Sequence, residues 1–300
     1  MRRVIGLSQG MIRRIKYLDD GILLNSERVT VRRIVREGDT LVLNTSDDGL
    51  DSGIEGFDLP IDIVYEDEDI VVPDKPPHMP THPSHNHHND TVANALAYRY
   101  RCCEEQFVFR PVNRLDRNTS GLLIIARNRI SAARLHKSML GGEIRKKYIA
   151  VLEGTLDLDV GEIDTYMRRT AESIIVREVC EAEAGADRAI TKYRVLARAG
   201  KYTVVLAEPI TGRTHQLRVH FASLGAAIAG DDLYGAESEY IDRHALHSAL
   251  ISFPHPTKEE KMVLFSPIPD DIAGLLRKIS PEKDIKNEIE DRIREIYGGK

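Results

Sequence analysis

Cysteine and tryptophan are nearly missing from this chain of 300 residues, which contains three cysteines and no tryptophan. Cys102 and Cys103 are adjacent and Cys180 is distant, so the cysteines form neither a disulfide framework nor the spacing of a zinc site. No stretch is apolar for long enough to cross a bilayer, and the first residues lack the apolar core of a signal peptide. These absences predict a cytoplasmic protein that has no membrane partner.

Basic residues are unevenly distributed. The net charge is -5, and the segment between Gly38 and Asp74 contains acids but no Lys or Arg. Arginines and lysines crowd the segments on either side of it. Taken singly, each basic cluster is explained as well or better by a solvated helix face. Together they are compatible with RNA binding, because the field near the site matters more than the net charge.

Four segments can be distinguished along the chain. Residues 1–45 read as a small module, 46–58 as a polar linker, 59–278 as one large domain and 279–300 as a charged amphipathic helix, packed on the surface or frayed. Strand and helix patterns mix without strict alternation. This mixture predicts an α+β fold with a mixed, largely antiparallel central sheet flanked by helices.

Several elements are specific enough to check. Ser8 should begin the first helix and Gly21 should end it, and Asp90 or Thr91 should cap a helix after a histidine-rich loop. The run "GLLIIA" (121–126) predicts one buried strand, and "TGRTHQLRVHFASLG" (211–225) predicts a helix.

The stretch "NRLDRNTSG" places one carboxylate, Asp116, between Arg114 and Arg117. A carboxylate beside two guanidinium groups stays ionised. It can act as a nucleophile, as a base or as a stabiliser of positive charge at a sugar carbon. On this stretch alone, an aspartate that fixes a turn is the better explanation.

Two further motifs offer candidate residues. "GRTHQLRVH" brings Arg213, His215 and Arg218 to the start of a predicted helix, which suits phosphate, although an ordinary polar helix face explains them equally well. In "KKYIAVLEG", Tyr148 could stack on a base and transfer a proton, although a tyrosine in a strand is more often part of the core.

Taken together, these segments resemble the RluA-type pseudouridine synthases across about residues 60 to 270. The family signature "HRLDxxTSG" corresponds to "NRLDRNTSG", and "GRTHQLRVH" matches its family segment letter for letter. "DKPPHMPTHP" is similar to "KPxGxxxHP", and "AGDDLYG" to "GDxxYG". The first segment resembles, more loosely, the alpha-L RNA-binding module that often precedes this catalytic domain. The resemblance implies a pseudouridine synthase fold.

It also implies the reaction. Asp116 would be the essential carboxylate, which attacks the ribose or takes a proton from it while a uridine in structured RNA is isomerised to pseudouridine. Arg218 would pair with Asp116, and Tyr148 would stack on the uracil and help to remove the proton from its carbon five. No cofactor or metal is needed, and the chain lacks phosphate-loop and dinucleotide-binding glycine patterns. Ribosomal RNA is the favoured partner and transfer RNA a second one. We expect a monomer, although no pattern bears on this.

The resemblance also implies smaller roles for the remaining candidate residues. Leu217 would be an apolar neighbour of the base, and Arg114 would fill the space left by the flipped nucleotide. Arg213 and His215 would bind phosphate or support the structure, and Thr119 would shape the turn that presents Asp116.

Asn113 departs from the family pattern, since it stands where the signature has histidine. Asparagine retains hydrogen-bonding capacity but does not titrate near neutral pH. Two rival hypotheses remain open. One is a non-catalytic RNA-binding or ribosome-assembly factor on the same fold, and the other is a hydrolase that binds a metal through the histidine-rich loop (78–88).

Overall fold

The computed structural model describes residues 9–44 and 53–297, so Ser8 lies outside the described residues. The helices within these ranges are α1 (Gln9–Ile15), α2 (Val92–Cys102), α3 (Arg129–Leu140), α4 (Gln216–Ser223), α5 (Asp270–Ile279) and α6 (Ile285–Tyr297). None of these helices has the length and apolar character needed to span a bilayer.

The strands fall into two sheets. The small sheet contains β1 (Ile22–Leu24), β2 (Glu27–Arg28) and β3 (Leu41–Leu43). The large sheet contains β4 (Asp62–Glu66), β5 (Ile70–Lys75), β6 (Ser120–Leu122), β7 (Ile125–Ala126), β8 (Arg145–Glu153), β9 (Val160–Arg169), β10 (Arg177–Cys180), β11 (Asp187–Ala199), β12 (Tyr202–Pro209), β13 (Ala227–Ile228), β14 (Leu246–Pro254) and β15 (Lys261–Phe265).

The large sheet confirms the predicted α+β class. Its main path runs β10-β9-β11-β12-β8-β14-β6-β5-β4, with β13, β15 and β7 paired beside it. Among the described strands, only the β14–β6 pair is parallel, and the other pairs are antiparallel. The sheet is therefore mixed and largely antiparallel.

The parallel pair forms a seam in the middle of the sheet. His247 and Ser248 of β14 pair with Ser120 and Gly121 of β6. On its other side β14 pairs with β8, where Ser248 lies opposite Tyr148. Three neighbouring strands therefore bring the end of the "NRLDRNTSG" loop, two residues of β14 and Tyr148 to one place.

Gly121 makes this seam possible. Its φ is +108°, and a Cβ built on it would lie 2.4 Å from the carbonyl oxygen of Ser248. An L-amino acid with a side chain is strained at such a φ, and the contact leaves no room for one. The close approach of the two strands thus explains why the "TSG" motif has a glycine at this position.

Two apolar clusters hold the sheet and its helices together. The larger cluster joins strands of the sheet to α2, α4, α5 and α6 and includes Leu115, Tyr148 and Leu217. The second packs α3 against the other part of the sheet through Leu135 and Phe253, among others. Burial of such apolar surface is the main stabilising contribution to the fold.

The charged helix near the end of the chain packs into the larger cluster. Ile285, Ile289 and Ile293 of α6 are buried there, at intervals that place them on one face. Of the two predicted states, packed or frayed, the structure has the packed one.

Local predictions had mixed outcomes. Thr91, rather than Asp90, caps α2, and its hydroxyl and backbone exchange hydrogen bonds with Asn94. The run 121–126 is buried as predicted but is divided between β6 and β7, which both pair with β5. Helix α4 begins only at Gln216, so the predicted start of this helix was too early, and α1 ends at Ile15, well before Gly21.

The first described segment, 9–44, consists of α1 and the small sheet. Ile15 and Ile22 form its buried centre, and Leu41 and Leu43 pack against them. Ile130 at the start of α3 also packs against this cluster, so the segment contacts the body of the protein there.

Candidate active site

Asp116 lies at the start of a tight turn that leads into β6. The backbone N–H of Thr119 donates to the carbonyl oxygen of Asp116 at 3.1 Å, which closes the turn. Leu115, directly before it, is buried in the larger cluster. The Asp116 side chain is 34% exposed, whereas Leu115 before it and Thr119 at the other end of the turn are buried. The turn therefore presents one carboxylate to solvent from a rigid base.

Two buried histidines hold the turn from below. Nε2 of His244 lies 2.9 Å from the hydroxyl of Thr119, and Nδ1 of His247 lies 2.9 Å from the hydroxyl of Ser120. Burial is the main cause that lowers the pKa of His244 to about 3 and of His247 to about 4. Both imidazoles are neutral at pH 7, so they hold Thr119 and Ser120 without adding charge. The prediction that Thr119 shapes this turn agrees with its position.

Arg243 also anchors the turn, and no sequence pattern predicted this role. Its guanidinium is buried and donates to the carbonyl oxygen of Asn118 at 2.9 Å and to the hydroxyl of Ser120 at 3.2 Å. It also binds the Asp271 carboxylate of α5, with an Nε–Oδ2 distance of 2.6 Å. A buried guanidinium needs such partners because an unpaired one is costly.

Lys75 is a second buried cation that sequence reasoning missed. Its ammonium donates to the carbonyl oxygens of Pro76 and Met79, both at 2.8 Å, and of Arg117 at 2.9 Å. Burial is the main cause that lowers the pKa of Lys75 to about 7, while the charge of Asp116 acts in the opposite direction. The only signal was its place in the segment "DKPPHMPTHP".

Tyr148 lies near Asp116, and Leu217 shares its apolar surroundings. Both are buried in the larger cluster, together with Leu115. Burial is the main cause that raises the pKa of Tyr148 well above its usual range, and the charge of Asp116 adds to the effect. The phenol is therefore protonated at neutral pH, and it is close enough to the carboxylate to be affected by its charge.

Arg218 does not make the direct ion pair with Asp116 that the sequence predicted. Its Nε and Nη2 atoms bind the two carboxylate oxygens of Asp231, each at 2.7 Å, and Nη2 lies 3.5 Å from Asp232. Burial alone would lower the pKa of Arg218, but the bonds to Asp231 and the charges of Asp231 and Asp116 raise it. The prediction failed because Asp231, in "GDDLYG", offers a completely buried bidentate partner.

His215 is the residue that the structure brings to Asp116. Its Nε2 lies 4.0 Å from Oδ2 of Asp116, and its Nδ1 lies 2.8 Å from the hydroxyl of Tyr234. Burial is the main cause that lowers the pKa of His215, whereas the charge of Asp116 favours its protonated form.

The two remaining predicted arginines lie apart from this group. Arg213 precedes α4, and its guanidinium contacts Asp187 at 3.0 Å and the carbonyl oxygen of Arg188 at 3.1 Å. Arg114 is exposed next to the turn, and no side chain or carbonyl of the described residues hydrogen-bonds its guanidinium.

Asn113 occupies a buried place beneath the turn. Its Oδ1 accepts a hydrogen bond from the backbone N–H of Ile124 at 2.9 Å. Its Nδ2 is buried and has no partner among the described residues. The side-chain amide of Asn113 thus fixes the chain next to β6 through its oxygen.

The histidine-rich loop does not assemble a metal-ligand cluster among the described residues. The three ligand-type side chains that come within 4.8 Å of one another lie elsewhere, in Asp67, Asp69 and His255. Their oxygens accept hydrogen bonds from Lys258 and Asn128, each at 2.8 Å, so this group ties β4, β5 and α3 together.

As a whole, the site presents one accessible carboxylate near a protonated phenol and a neutral imidazole. Two buried cations, Lys75 and Arg243, hold the turn, and a third, Arg218, lies nearby. A carboxylate in such surroundings is suited to attack on a carbon or to proton abstraction.

The chain is similar to known RNA pseudouridine synthases. The family model described as RNA pseudouridylate synthase matches residues 69–223. An uncharacterized RNA pseudouridine synthase of Bacillus subtilis, YjbO, is 33% identical over 91% of this chain and 95% of that protein. The ribosomal large subunit pseudouridine synthase D of Haemophilus influenzae is 32% identical over 76% of this chain and 74% of that protein. The solved structure of human RNA pseudouridylate synthase domain containing 1 is 28% identical, with a TM-score of 0.59, over 71% of this chain and 85% of that one.

Proposed function

The chain belongs to the RNA pseudouridylate synthase family, and from that premise we propose that it isomerises uridine in ribosomal RNA with Asp116 as the essential carboxylate. The observation that carries this proposal is the presentation of a single accessible carboxylate on an anchored turn, beside Tyr148. The ribosomal target is favoured because a relative bears the name ribosomal large subunit pseudouridine synthase D. Transfer RNA is the second candidate.

The reaction exchanges one bond for another. The bond between N1 of uracil and C1′ of ribose breaks, the bond between C5 and C1′ forms, C5 loses a proton and N1 gains one. No electrons are gained or lost overall, so the proposed reaction needs no redox cofactor. Asp116 either attacks the ribose or takes a proton from it, and both routes begin from the ionised carboxylate.

Tyr148 acts in the second half of this proposal. Its phenol is protonated while Asp116 is charged, since burial and that charge both raise its pKa. Either route for Asp116 neutralises the carboxylate and so removes one of these two causes. The pKa of Tyr148 then falls, and the phenol can give its proton to N1 of uracil and take up the proton that leaves C5, so that Tyr148 ends as it began.

The other residues support binding. Leu217, which belongs to the same apolar cluster as Tyr148, contacts the base, and the exposed Arg114 enters the space that the flipped nucleotide leaves. Arg218 contributes its charge from the pair with Asp231, and Arg213 supports the segment before α4 or meets phosphate. The segment 9–44 acts as an RNA-binding module ahead of the catalytic domain, and the protein works as a cytoplasmic monomer.

Pseudouridine mapping tests this proposal. Total RNA is compared between cells with and without the gene, and the gene is then restored as wild type or as Asp116→Asn. We expect at least one uridine in ribosomal RNA to lose its modification, and only the wild-type gene to restore it. Restoration by Asp116→Asn would contradict the role of Asp116, and a changed site in transfer RNA alone would contradict the ribosomal target. No changed site in any RNA would favour a non-catalytic RNA-binding factor.

A further inference from the structure

The imidazole of His215 lies between Tyr234 and Asp116. Nδ1 is 2.8 Å from the Tyr234 hydroxyl, and Nε2 is 4.0 Å from Oδ2 of Asp116. The side chain is 11% exposed. Its backbone has φ 57° and ψ 18°, a left-handed conformation, at the N-cap of α4. This unusual backbone conformation, rather than the helix itself, sets the direction of the ring.

Hydrogen bonding around Tyr234 selects the tautomer of His215. The Tyr234 oxygen accepts a bond from the backbone N–H of Arg177 at 2.9 Å. The hydroxyl proton of Tyr234 has no acceptor other than Nδ1 of His215 among the described residues, so the hydroxyl donates to that nitrogen. A neutral imidazole that accepts at Nδ1 carries its proton at Nε2, which faces Asp116.

The imidazole of His215 is neutral in this arrangement, with its single proton at Nε2. Burial lowers the pKa of His215, and the charges of Arg218 and Arg177 act in the same direction, against those of Asp116 and Asp231. Arg218 itself is bound by both oxygens of Asp231. Among the described residues, the basic group nearest to the Asp116 carboxylate is therefore an imidazole rather than a guanidinium.

We propose that His215 is a positioning residue, whose Nε2–H donates to Oδ2 of Asp116 in the RNA complex and leaves Oδ1 as the reacting oxygen. The gap from 4.0 Å to hydrogen-bond distance closes as the nucleotide enters. This inference rests on the proposed role of Asp116. It differs from the sequence prediction, in which His215 binds phosphate or supports the structure.

Two substitutions of His215 distinguish the role of Nδ1 from the role of Nε2, and a third variant changes Tyr234. His215→Asn tolerates the left-handed backbone and keeps a polar atom near Tyr234, but it cannot reach Asp116. His215→Gln places an amide nitrogen near the position of Nε2 and so keeps the donor. Tyr234→Phe removes the hydroxyl that selects the tautomer and leaves His215 in place.

Single-turnover assays with excess enzyme measure the effect, on RNA isolated from cells lacking the gene. This RNA contains the target uridine whichever molecule carries it. We expect His215→Asn to lower the rate about 10- to 100-fold, as for loss of a hydrogen bond to a charged group, with the Kd for RNA unchanged. His215→Gln should recover most of the rate, and Tyr234→Phe should lower it by less than His215→Asn. Thermal unfolding of each variant shows whether it is folded.

The outcomes separate this inference from the proposed function. If Asp116→Asn is inactive while His215→Asn reacts at the wild-type rate, the inference is wrong and the role of Asp116 stands. If Asp116→Asn is active, the proposed function itself fails. Equal rates for His215→Asn and His215→Gln, both low, would overturn the donor role. A weaker Kd with an unchanged rate would favour phosphate binding by His215 instead.

Discussion

Arg218 and Asp231 form a bidentate ion pair in which both nitrogen–oxygen distances are 2.7 Å. The carboxylate is completely buried and the guanidinium nearly so. Asp231 also accepts hydrogen bonds from the backbone N–H groups of Leu233 and Tyr234, each at 3.1 Å. The pair therefore joins α4 to the "GDDLYG" segment directly beside the candidate site.

Removing one partner of this pair should cost more than removing both. We expect Asp231→Ala to lower the free energy of unfolding by about 3–5 kcal/mol, since it leaves a buried charge unpaired. Asp231→Ala combined with Arg218→Met should lower it by less than Asp231→Ala alone. Urea unfolding of the four proteins in this double-mutant cycle measures the coupling. Strict additivity would show that the pair contributes nothing.

Lys75→Met should destabilise the protein and impair the site together. The change leaves the carbonyl oxygens of Pro76, Met79 and Arg117 without their buried donor. We expect a loss of about 3 kcal/mol in the free energy of unfolding, with a lower rate because Arg117 directly follows Asp116. Lys137→Met, at an exposed position on α3, is the matched control and should change neither quantity. A fully stable Lys75→Met protein would contradict this account.

Gly121→Ala tests the seam between β6 and β14. The new Cβ would lie 2.4 Å from a backbone oxygen of Ser248, and φ is +108°. We expect the free energy of unfolding to fall by about 3 kcal/mol or more, since backbone strain and overpacking add. Gly142→Ala provides the comparison, because φ is +69° there but no atom lies within 4 Å. It should cost only about 1 kcal/mol. Chemical denaturation of both variants measures the difference, and equal losses would rule out the close approach as the cause.

Buried histidines should make the protein sensitive to acid. Burial is the main cause that lowers the pKa of His220 to about 4 and of His244 to about 3, from an ordinary value of 6.5. Below pH 6.5 the unfolded chain takes up protons at these histidines that the folded chain does not. Stability is therefore lost as the pH falls from 6.5 towards 4, by about 1.4 kcal/mol per pH unit for each histidine.

A single substitution isolates this effect. His220 lies between the hydroxyls of Thr165 and Thr191, at 3.1 and 2.9 Å. His220→Gln removes its titration, so the mean slope of unfolding free energy against pH should decrease by about 1 kcal/mol per pH unit between pH 7 and 5. His136→Gln, at an exposed histidine of α3, should leave the slope unchanged. Urea unfolding between pH 7 and 5 gives both slopes, and an unchanged slope for His220→Gln would refute the prediction.

The sequence was most informative where structure depends on near neighbours. Thr91, one of the two predicted caps, caps α2 through Asn94, three residues later. Local periodicity and turn residues suffice for such elements. The motif that contains Asp116 was also recognisable, because its residues are contiguous.

Contacts between distant parts of the chain could not be predicted in this way. Arg243 reaches Asn118 across 125 positions, and a pattern of neighbouring residues contains no information about such a pairing. Arg218 was assigned to the wrong partner for the same reason, since Asp116 and Asp231 are both plausible from sequence. The division of 121–126 into two strands likewise follows from pairing with β5, not from the run itself.

The seam between β6 and β14 has a consequence for the newly synthesised chain. Ser120 and His247, which meet there, are 127 positions apart. While the chain emerges from the ribosome, Asp116 is exposed long before β14 exists to anchor its turn. The turn that carries Asp116 can therefore be anchored by His247 only after synthesis has passed β14, although the turn itself is made in the first half of the chain.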